Sequence, residues 1–363
     1  MEKFHSILKI SIMHHKTFIP FYDIKKYPDE VLVVDAHHPQ GFDLSHWRGA
    51  PVPKNCEADT STEIVLKAIK NNLPELDKKY VTNNHYDIDG FLGVWAVFNP
   101  KEALKHYDLL TEMAQIGDFR EINFGFPAWK KALKLVCWLN EEEAQLFYPP
   151  FGAPEIAEKE MEACVPKYIH FLDAFNKVVD LPIDEVPETK EFDLVLNHLE
   201  KIDNQKTIDD IRMNIVHATE PLHYYALYSK SQTADMVMSI YTDNRYELEF
   251  KYTTWINTTR QHFPRISMKK LCDQLNDIEE SGKTWEAEHF TDTAPILRLK
   301  GEKLSKKERY LSPRFRPIYS SSIAPEEFQN ICINYFREHY KKLSKGETLD
   351  WKEVRQLNEL IFN

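Results

Sequence analysis

The feature that most constrains this 363-residue chain is the stretch at residues 81–99, VTNNHYDIDGFLGVWAVFN. Its pattern predicts a buried strand, a short polar loop and then a helix. His85, Asp87 and Asp89 occupy alternate positions, and alternate side chains of an extended segment point the same way. Gly90 gives the backbone the freedom to turn into the helix. The fold must therefore bring an imidazole and two carboxylates to one point just after a strand.

Two carboxylates that face one point repel each other and resist ionising unless a cation neutralises them. The loop from His85 to Gly90 is therefore a candidate site for a divalent metal ion. The alternative interpretation is a polar surface turn in which the aspartates only cap the following helix.

The composition, with 42% hydrophobic and 28% charged residues, is that of an ordinary globular protein. A net charge of −11 argues against a protein that coats nucleic acid, although it permits a short nucleic acid in a local basic channel. The 5 cysteines are scattered without a C-x-x-C pair, so we expect no disulfide framework and a reducing, cytoplasmic location. No segment has the ~20 apolar residues of a membrane span, and we read the N-terminal residues as mature protein.

The order of patterns predicts the α/β class with four segments. Residues 30–35, EVLVVD, form an apolar run typical of a buried parallel strand that ends in Asp35, and residues 60–63 open a helix. We expect an α/β metal-binding domain at 1–128 and a helical connecting region at 129–230, including residues 208–218. A hairpin, a helix and a strand then predict a smaller α+β accessory domain at 231–319. Two C-terminal helices are expected at 320–363, after a basic loop around 300–317.

The loop sequence His85-Tyr86-Asp87-Ile88-Asp89-Gly90 resembles the first motif, H-x-D-x-D-G, of the DHH phosphoesterase superfamily. That superfamily includes RecJ-type nucleases, oligonucleotide phosphodiesterases and manganese pyrophosphatases. The strand before the motif and the helix after it are similar to the family pattern as well. The resemblance implies a parallel-sheet domain that binds manganese and cleaves phosphate esters.

Further similarities lie on both sides of this motif. The family has a strand that ends in a bridging aspartate, and Asp35 is similar to it. Its metal-binding histidine is matched best by His46, although the pair His37-His38 also fits, so the assignment among the three stays open. Asp118, after Gly117, is the candidate for the late aspartate that completes the second metal site.

The order of the motifs departs from the family, because the segment with Asp35 and His46 precedes the H-x-D-x-D-G motif here. We therefore interpret the chain as a rearranged or circularly permuted relative. A parallel sheet tolerates such a change, since the ends of its strands converge in space whatever their order in the chain.

The resemblance implies a site with three groups of residues. Two Mn²⁺ ions, with Mg²⁺ as the second choice, would be held by Asp35, His46, His85, Asp87, Asp89 and Asp118, with Asp35 as the bridge. His37 or His38 would act as general acid or stabilise the developing charge. Arg48, Arg260 and Arg265 would hold substrate phosphate, and Trp285 or Trp255 would stack on a base. The expected substrate is a small phosphate ester, a short oligonucleotide or a cyclic dinucleotide. We expect no membrane contact and find no sign of a protein partner.

Two alternatives remain at this point. The chain could be a non-catalytic metal- or nucleotide-binding relative of the same fold, because the glycine-rich loop of the family's accessory domain is missing. It could also be a 2-His-1-carboxylate iron oxygenase that uses His85, Asp87 and either His217 or His223. That enzyme class is built on a jelly roll, so strands should dominate the structure.

Overall fold

The computed structural model describes residues 16–147, 160–301, 317–341, 343 and 349–362. Clustering of contacts divides the chain into two compact units. Unit 1 comprises Met1–Asp118 and Ile122–Phe192, and unit 2 comprises Phe119–Glu121 and Asp193–Asn363. Both units combine helices with a β-sheet, which confirms the α/β class.

The elements are numbered here in chain order. The strands are β1 (Thr17–Phe18), β2 (Val31–Val34), β3 (Phe42–Leu44), β4 (Tyr80–Thr82), β5 (Gln205–Ile208), β6 (Met213–Ala218), β7 (Met236–Tyr241), β8 (Arg245–Phe250), β9 (Thr284–Ala287) and β10 (Ile296–Lys300). The α-helices are α1 (Ser61–Lys70), α2 (Ile88–Phe98), α3 (Pro100–Lys105), α4 (Tyr107–Phe119), α5 (Trp129–Leu146), α6 (Glu160–Ala174), α7 (Lys190–Lys201), α8 (Tyr224–Ser229), α9 (Lys269–Asn276), α10 (Pro325–Tyr340) and α11 (Trp351–Phe362).

The sheet of unit 1 has the strand order β1-β4-β2-β3, and every neighbouring pair is parallel. The prediction of a buried parallel strand at residues 30–35 is confirmed, because all four residues of β2 are fully buried. Burial on both faces explains why this strand reads as a continuous apolar run instead of an alternating one. Since the strands are parallel, the loops that follow β2, β3 and β4 all leave from the same edge of the sheet.

Helices α1 and α2 pack closely together and lie next to this edge. Thr60 caps α1 by accepting a hydrogen bond from the backbone N–H of Glu63, and Asp87 caps α2 in the same way from Gly90. A Cβ atom at Gly93 would lie 2.7 Å from a methyl carbon of Val34. This close approach of α2 to β2 requires glycine, and it fixes the first turn of α2 beside the end of β2.

The sheet of unit 2 has the order β5-β6-β7-β8-β10-β9. Strands β6 and β7 are parallel and the other neighbours are antiparallel. The predicted hairpin is confirmed, with β7 and β8 joined around Asp243 and Asn244, which both have positive φ. Helices α9 and α10 contribute to the apolar core that covers one face of this sheet.

The prediction of helix at residues 208–218 is wrong, because this segment contains β6. Met213 and Ile215 belong to one apolar core cluster, and Val216 belongs to another. A strand that is apolar on both faces lacks the alternation that separates strands from helices in a sequence. The predicted connecting region at 129–230 is therefore helical only as far as α7. Beyond α7, where the structure describes every residue of the region, it contains β5 and β6, and α8 is its only further α-helix.

The two predicted C-terminal helices are confirmed as α10 and α11. Phe328 and Tyr335 of α10 are buried in the core of unit 2, so this end of the chain is part of that unit. Most of the basic loop predicted around 300–317 lies outside the described residues. Among the residues that the structure describes, no helix is both long enough and apolar enough to cross a lipid bilayer.

Candidate metal centre

Asp35 is the first residue after β2, so its carboxylate lies at the edge of the sheet where the strand ends. Its φ of 51° lies in the left-handed region, which aspartate tolerates better than most residues. Its backbone N–H donates to the carbonyl of Leu44 at 3.1 Å. Its side chain is buried, and Oδ1 accepts a hydrogen bond of 2.7 Å from the hydroxyl of Ser61. The carboxylate is therefore held at a fixed position before any ligand arrives.

Asp89 and Asp87 lie at the start of α2 and are both anchored by backbone amides. The carboxylate of Asp89 accepts the N–H of Ser61 at Oδ2, 2.7 Å away, and the N–H of Thr62 at Oδ1, 2.8 Å away. Oδ1 of Asp87 accepts the N–H of Gly90 at 2.8 Å. The aspartates thus do cap helices, as the alternative interpretation proposed. Capping occupies only some of the carboxylate lone pairs, which leaves others for a cation.

Two triplets of ligand atoms meet at Asp35. One consists of Asp35, His85 and Asp87, and the other consists of Asp35, His46 and Asp89; within each triplet the ligand atoms lie within 4.8 Å of one another. Oδ2 of Asp35 is 3.3 Å from Nε2 of His85, and Oδ1 is 3.3 Å from Nε2 of His46. The two oxygens of a single carboxylate therefore face two different imidazoles.

The spacing inside the triplets suits metal ligands better than ion pairs. Nε2 of His46 lies 3.3 Å from Asp35, 3.4 Å from Asp118 and 3.8 Å from Asp89. Hydrogen bonds between an imidazolium and a carboxylate are shorter, at about 2.7–2.9 Å. Neighbouring oxygen or nitrogen ligands of a six-coordinate ion with bonds of about 2.1 Å lie roughly 3 Å apart.

Both imidazoles are oriented by an oxygen at Nδ1. Nδ1 of His46 lies 2.7 Å from the carbonyl oxygen of Asp59, and Nδ1 of His85 lies 2.7 Å from the amide oxygen of Asn84. Each oxygen can only accept, so the proton of a neutral ring sits on Nδ1 and the lone pair of Nε2 points at the carboxylates. An outer oxygen that fixes the ring in this way is typical of metal-binding histidines.

Asp118 extends the second triplet. Its side chain is 7% exposed, and its Oδ2 has no hydrogen-bond partner among the described residues. A Cβ atom at Gly117 would lie 2.3 Å from Ile88, so glycine lets α4 approach the start of α2. A buried carboxylate oxygen without a donor is costly, and a cation beside His46 would satisfy it.

The pKa values show a site that neutralises its negative charge with protons. Burial alone would lower the pKa of His46, but the facing carboxylates of Asp118, Asp35 and Asp89 raise it to about 10. Burial opposes protonation of His85 as well, and Asp87 and Asp35 raise its pKa well above the usual value. Burial and the charge of Asp35 raise the pKa of Asp89 to about 7.

The pKa values of two neighbouring carboxyl groups, Asp118 and Asp35, shift in opposite directions. Burial raises the pKa of Asp118 well above its usual range, and nearby carboxylates add to that effect. Burial would also raise the pKa of Asp35, but hydrogen bonds and positive charge from His46 and His85 lower it below its usual range. Asp35 therefore stays ionised between two protonated imidazoles. A pair of dications would replace those protons without moving the side chains.

We predict that the affinity for Mn²⁺ rises with pH. The raised pKa of His46, about 10, means that its ring is protonated throughout the neutral range. A metal ion needs the lone pair on Nε2, so binding must release that proton. Each released proton should increase the affinity about tenfold per pH unit. Calorimetric titration with Mn²⁺ between about pH 6 and pH 8, in buffers of different ionisation enthalpy, measures both quantities. An affinity that is independent of pH would exclude His46 as a ligand.

The donor set fits divalent metal ions. It combines four carboxylates and two imidazoles, a mixture of oxygen with some nitrogen that suits Mn²⁺ and accepts Mg²⁺ less well at its histidines. All six predicted ligands lie in unit 1, at one edge of the parallel sheet. Asp35, His46, His85, Asp87, Asp89 and Asp118 are therefore the ligands to test.

His37 and His38 follow Asp35 but do not join the triplets. Nδ1 of His37 lies 2.5 Å from Oδ2 of Asp43, and the His37 side chain is 49% exposed. His38 donates its backbone N–H to Asp43, and its Nδ1 accepts the N–H of Gln40. Of the three histidines that the sequence left open, only His46 belongs to a triplet. Arg48 lies two residues beyond His46 and is partly exposed.

Four residues predicted to bind substrate lie in unit 2: Arg260, Arg265, Trp285 and its alternative Trp255. Arg265 and Trp285 are interior residues, and Trp255 is partly buried. Arg265 is buried and donates to five protein oxygens: Oγ1 of Thr254 and the carbonyls of Lys251, Phe290, Asp292 and Thr293. These contacts use all of its N–H groups. The prediction that Arg265 holds substrate phosphate is therefore wrong.

Trp285 is likewise not a surface platform for a base. It is 1% exposed, lies on β9 and stacks on Phe328 in the core of unit 2. Arg260 is partly exposed, but it contacts a carboxylate oxygen of Glu121 and lies over the ring of Phe119. Glu121 also pairs with the buried Lys251. Structural contacts thus occupy Arg260 as well.

Sequence reasoning missed three residues that shape the site. Ser61 was assigned only to the opening of a helix, yet its hydroxyl bonds Asp35. Asp43 orients His37, and Asn83 lies fully buried at the end of β4. A signal existed for Asn83, because an amide directly after an apolar strand points to the same sheet edge as Asp35. No comparable sequence pattern indicated that Asp43 would orient a histidine.

Comparison with known proteins places the chain in a family without assigning a role. No curated protein and no solved structure matches it. One family model matches residues 14–347, which is most of the chain. The chain belongs to that family, whose description is "Family of unknown function (DUF6687)".

Proposed function

We propose that the protein is a divalent-metal-dependent phosphoesterase that binds two ions in unit 1. The observation that carries this proposal is the shared position of Asp35, whose two oxygens face His46 and His85 in separate ligand triplets. A carboxylate that bridges two sites is what a pair of ions about 3.5–4 Å apart requires. Metal pairs of this kind are common in enzymes that hydrolyse phosphate esters.

Each ion would have its own set of ligands. Oδ2 of Asp35, His85 and Asp87 would hold the first. Oδ1 of Asp35, His46, Asp89 and Asp118 would hold the second. Four carboxylates then balance the charge of two dications, and Mn²⁺ is the preferred metal because the set includes imidazoles.

The chain's own residues would orient the substrate and move protons. Bound ions supply a clamp for phosphate oxygens and lower the pKa of a coordinated water. His37, fixed through Nδ1 by Asp43 and partly exposed, would donate a proton to the leaving group. Arg48, close in sequence to His46, would orient a phosphate oxygen through its guanidinium group. The resemblance of the His85–Gly90 loop to the DHH phosphoesterases supports the same chemistry.

We further propose a small phosphorylated substrate, either a phosphate ester, a short oligonucleotide or a cyclic dinucleotide. The net charge of −11 disfavours long duplexes. We place the protein in the cytoplasm, because all five cysteines are buried and none forms a disulfide, which suits a reducing compartment. The iron-oxygenase alternative loses its support, since the sheet beside the motif is parallel and flanked by helices.

The test is a panel of bis(p-nitrophenyl) phosphate, p-nitrophenyl phosphate, short oligonucleotides and cyclic dinucleotides, each with Mn²⁺, with Mg²⁺ and with a chelator. We expect hydrolysis that requires Mn²⁺ and that falls by at least about 10³-fold in Asp87→Asn. Asparagine keeps the cap on α2, so this variant should fold normally and retain one ion. Full binding of two ions without hydrolysis of any substrate would favour the non-catalytic alternative.

A further inference from the structure

Asn83 presents a buried hydrogen-bond donor to the metal centre. It is the first residue after β4 and is fully buried. Its Oδ1 accepts the backbone N–H of His85 at 3.2 Å. Only the oxygen of an amide can accept, so this contact fixes which end of the amide is which. Nδ2 therefore points away from that N–H, and it has no hydrogen-bond partner among the described residues.

The position of Gly90 shows where this donor is aimed. A Cβ atom on Gly90 would lie 2.2 Å from Nδ2 of Asn83, 3.0 Å from Oδ1 of Asp87 and 3.1 Å from Oδ2 of Asp35. The donor and two ligand oxygens therefore border the same small space above Gly90. Any other residue at position 90 would displace the amide. Gly90 therefore leaves room for the side-chain amide of Asn83 and also allows the turn into α2.

A native buried donor without a partner calls for an explanation, and a missing solvent or ligand atom is a common one. An amide nitrogen has no lone pair to offer a cation. The partner of Nδ2 must therefore be an acceptor. Neither of the nearby carboxylates, Asp35 and Asp87, accepts a hydrogen bond from it. This leaves an oxygen that enters with the metal ions.

We propose that Asn83 is a positioning residue whose Nδ2 would donate a hydrogen bond to the water that the bound metal ions activate. The proposal rests on the proposed two-ion site. Such a hydrogen bond would strengthen when the water loses a proton and its oxygen gains negative charge, and it would hold that oxygen in position for attack. Asn83 would therefore affect the rate of the chemical step more than the binding of substrate. It would contribute little to the affinity for the metal, because it is not a ligand.

A purely structural role is the competing explanation, in which Asn83 serves only to hold the His85 backbone through Oδ1. Two variants separate the roles. Asn83→Asp keeps an oxygen for the His85 N–H but replaces the donor with an acceptor. Asn83→Leu removes both. The matched control is Asn71→Asp, because Asn71 is an exposed amide at the end of α1 whose Nδ2 bonds the carbonyl of Asn55.

The experiment is a calorimetric titration of the full chain with Mn²⁺, followed by titration of the loaded protein with fluoride. Fluoride is isoelectronic with hydroxide, accepts hydrogen bonds and reports on the position of the water without turnover. We expect two Mn²⁺ per chain and fluoride binding in the unchanged protein and in Asn71→Asp. Fluoride should bind at least about 10-fold more weakly to Asn83→Asp and Asn83→Leu, while both variants still bind two Mn²⁺. Wherever turnover is measurable, kcat should fall in both variants with little change in KM.

The outcomes separate the two proposals. If the unchanged protein does not bind Mn²⁺, the proposed function fails. If Mn²⁺ binds in all variants and fluoride affinity is the same throughout, or fluoride binds to none, the role of Asn83 is refuted and the two-ion site stands. If Asn83→Leu does not fold, Asn83→Asp decides the question alone, since it retains the contact with His85. Loss of Mn²⁺ binding in Asn83→Asp would show a structural role.

Discussion

Replacement of Asp35 with asparagine should abolish the binding of both metal ions. Asp35 belongs to both ligand triplets, whereas Asp87 belongs to only one. An asparagine has one oxygen and one NH₂ group, so it can offer a ligand atom to only one of the two ions, and it has no negative charge to balance either of them. Hydrolysis should fall by more than about 10³-fold, beyond the 10–100-fold loss typical of outer partners of a metal ligand. Metal analysis after dialysis should find two ions in the unchanged protein, one in Asp87→Asn and none in Asp35→Asn.

The matched control is Asp29→Asn. Asp29 also has a positive φ, 62°, and is exposed before β2, and asparagine tolerates that backbone conformation. The control should keep both ions and the full rise in melting temperature with Mn²⁺, which follows the ratio of metal concentration to Kd. Asp35→Asn should lose that rise while its melting temperature without metal changes little. Retention of two ions in Asp35→Asn would refute the bridging assignment.

Replacement of Arg265 with methionine should strongly destabilise unit 2. The buried guanidinium group of Arg265 donates to five protein oxygens, among them the carbonyls of Lys251, Phe290 and Thr293. Methionine fills part of the space and leaves those oxygens without donors. The free energy of unfolding should fall by about 3–5 kcal/mol. For a unit of this size the melting temperature should drop by roughly 10 °C, measured by calorimetry.

The control for this variant is Arg337→Met on α10. Arg337 forms an exposed ion pair with Asp210, with side chains 44% and 56% exposed. Exposed pairs contribute about 0–1 kcal/mol, so the control should change the melting temperature by a few degrees at most. An equally stable Arg265→Met variant that binds substrate poorly would restore the prediction of a substrate-binding arginine.

The candidate metal centre was accessible to sequence reasoning because its proposed ligands come from a local pattern and from strand ends. His85, Asp87 and Asp89 lie within one span of five residues shortly after a strand, and Asp35 follows another buried strand. Parallel strands bring such ends together. His46 could not be separated from His37 and His38, since its selection depends on a carbonyl of Asp59 that fixes the ring. That contact joins residues distant in the chain and leaves no pattern.

The residues assigned to substrate were harder to place. The sequence pattern of an arginine near aromatic residues is the same whether the arginine binds a phosphate or a cluster of backbone carbonyls. Trp285 is an interior residue because β9 adds an edge strand and α10 covers it. Arg265 is an interior residue because backbone carbonyls of Lys251, Phe290 and Thr293 surround its guanidinium group. The sequence around Trp285 contains too few apolar residues to reveal β9. The error at β6 had the opposite cause, an excess of apolar residues.

The contact of Asp89 with the first two amides of α1 has a consequence for how an ion would enter. Its carboxylate is immobilised by Ser61 and Thr62, and Ser61 in turn holds Asp35 and the backbone of His46. These side chains are therefore held in place before a metal arrives. Metal binding then requires no ordering of the chain and costs little conformational entropy. The rate at which His46 and His85 lose their protons, and not the rate at which loops close, would then limit metal binding.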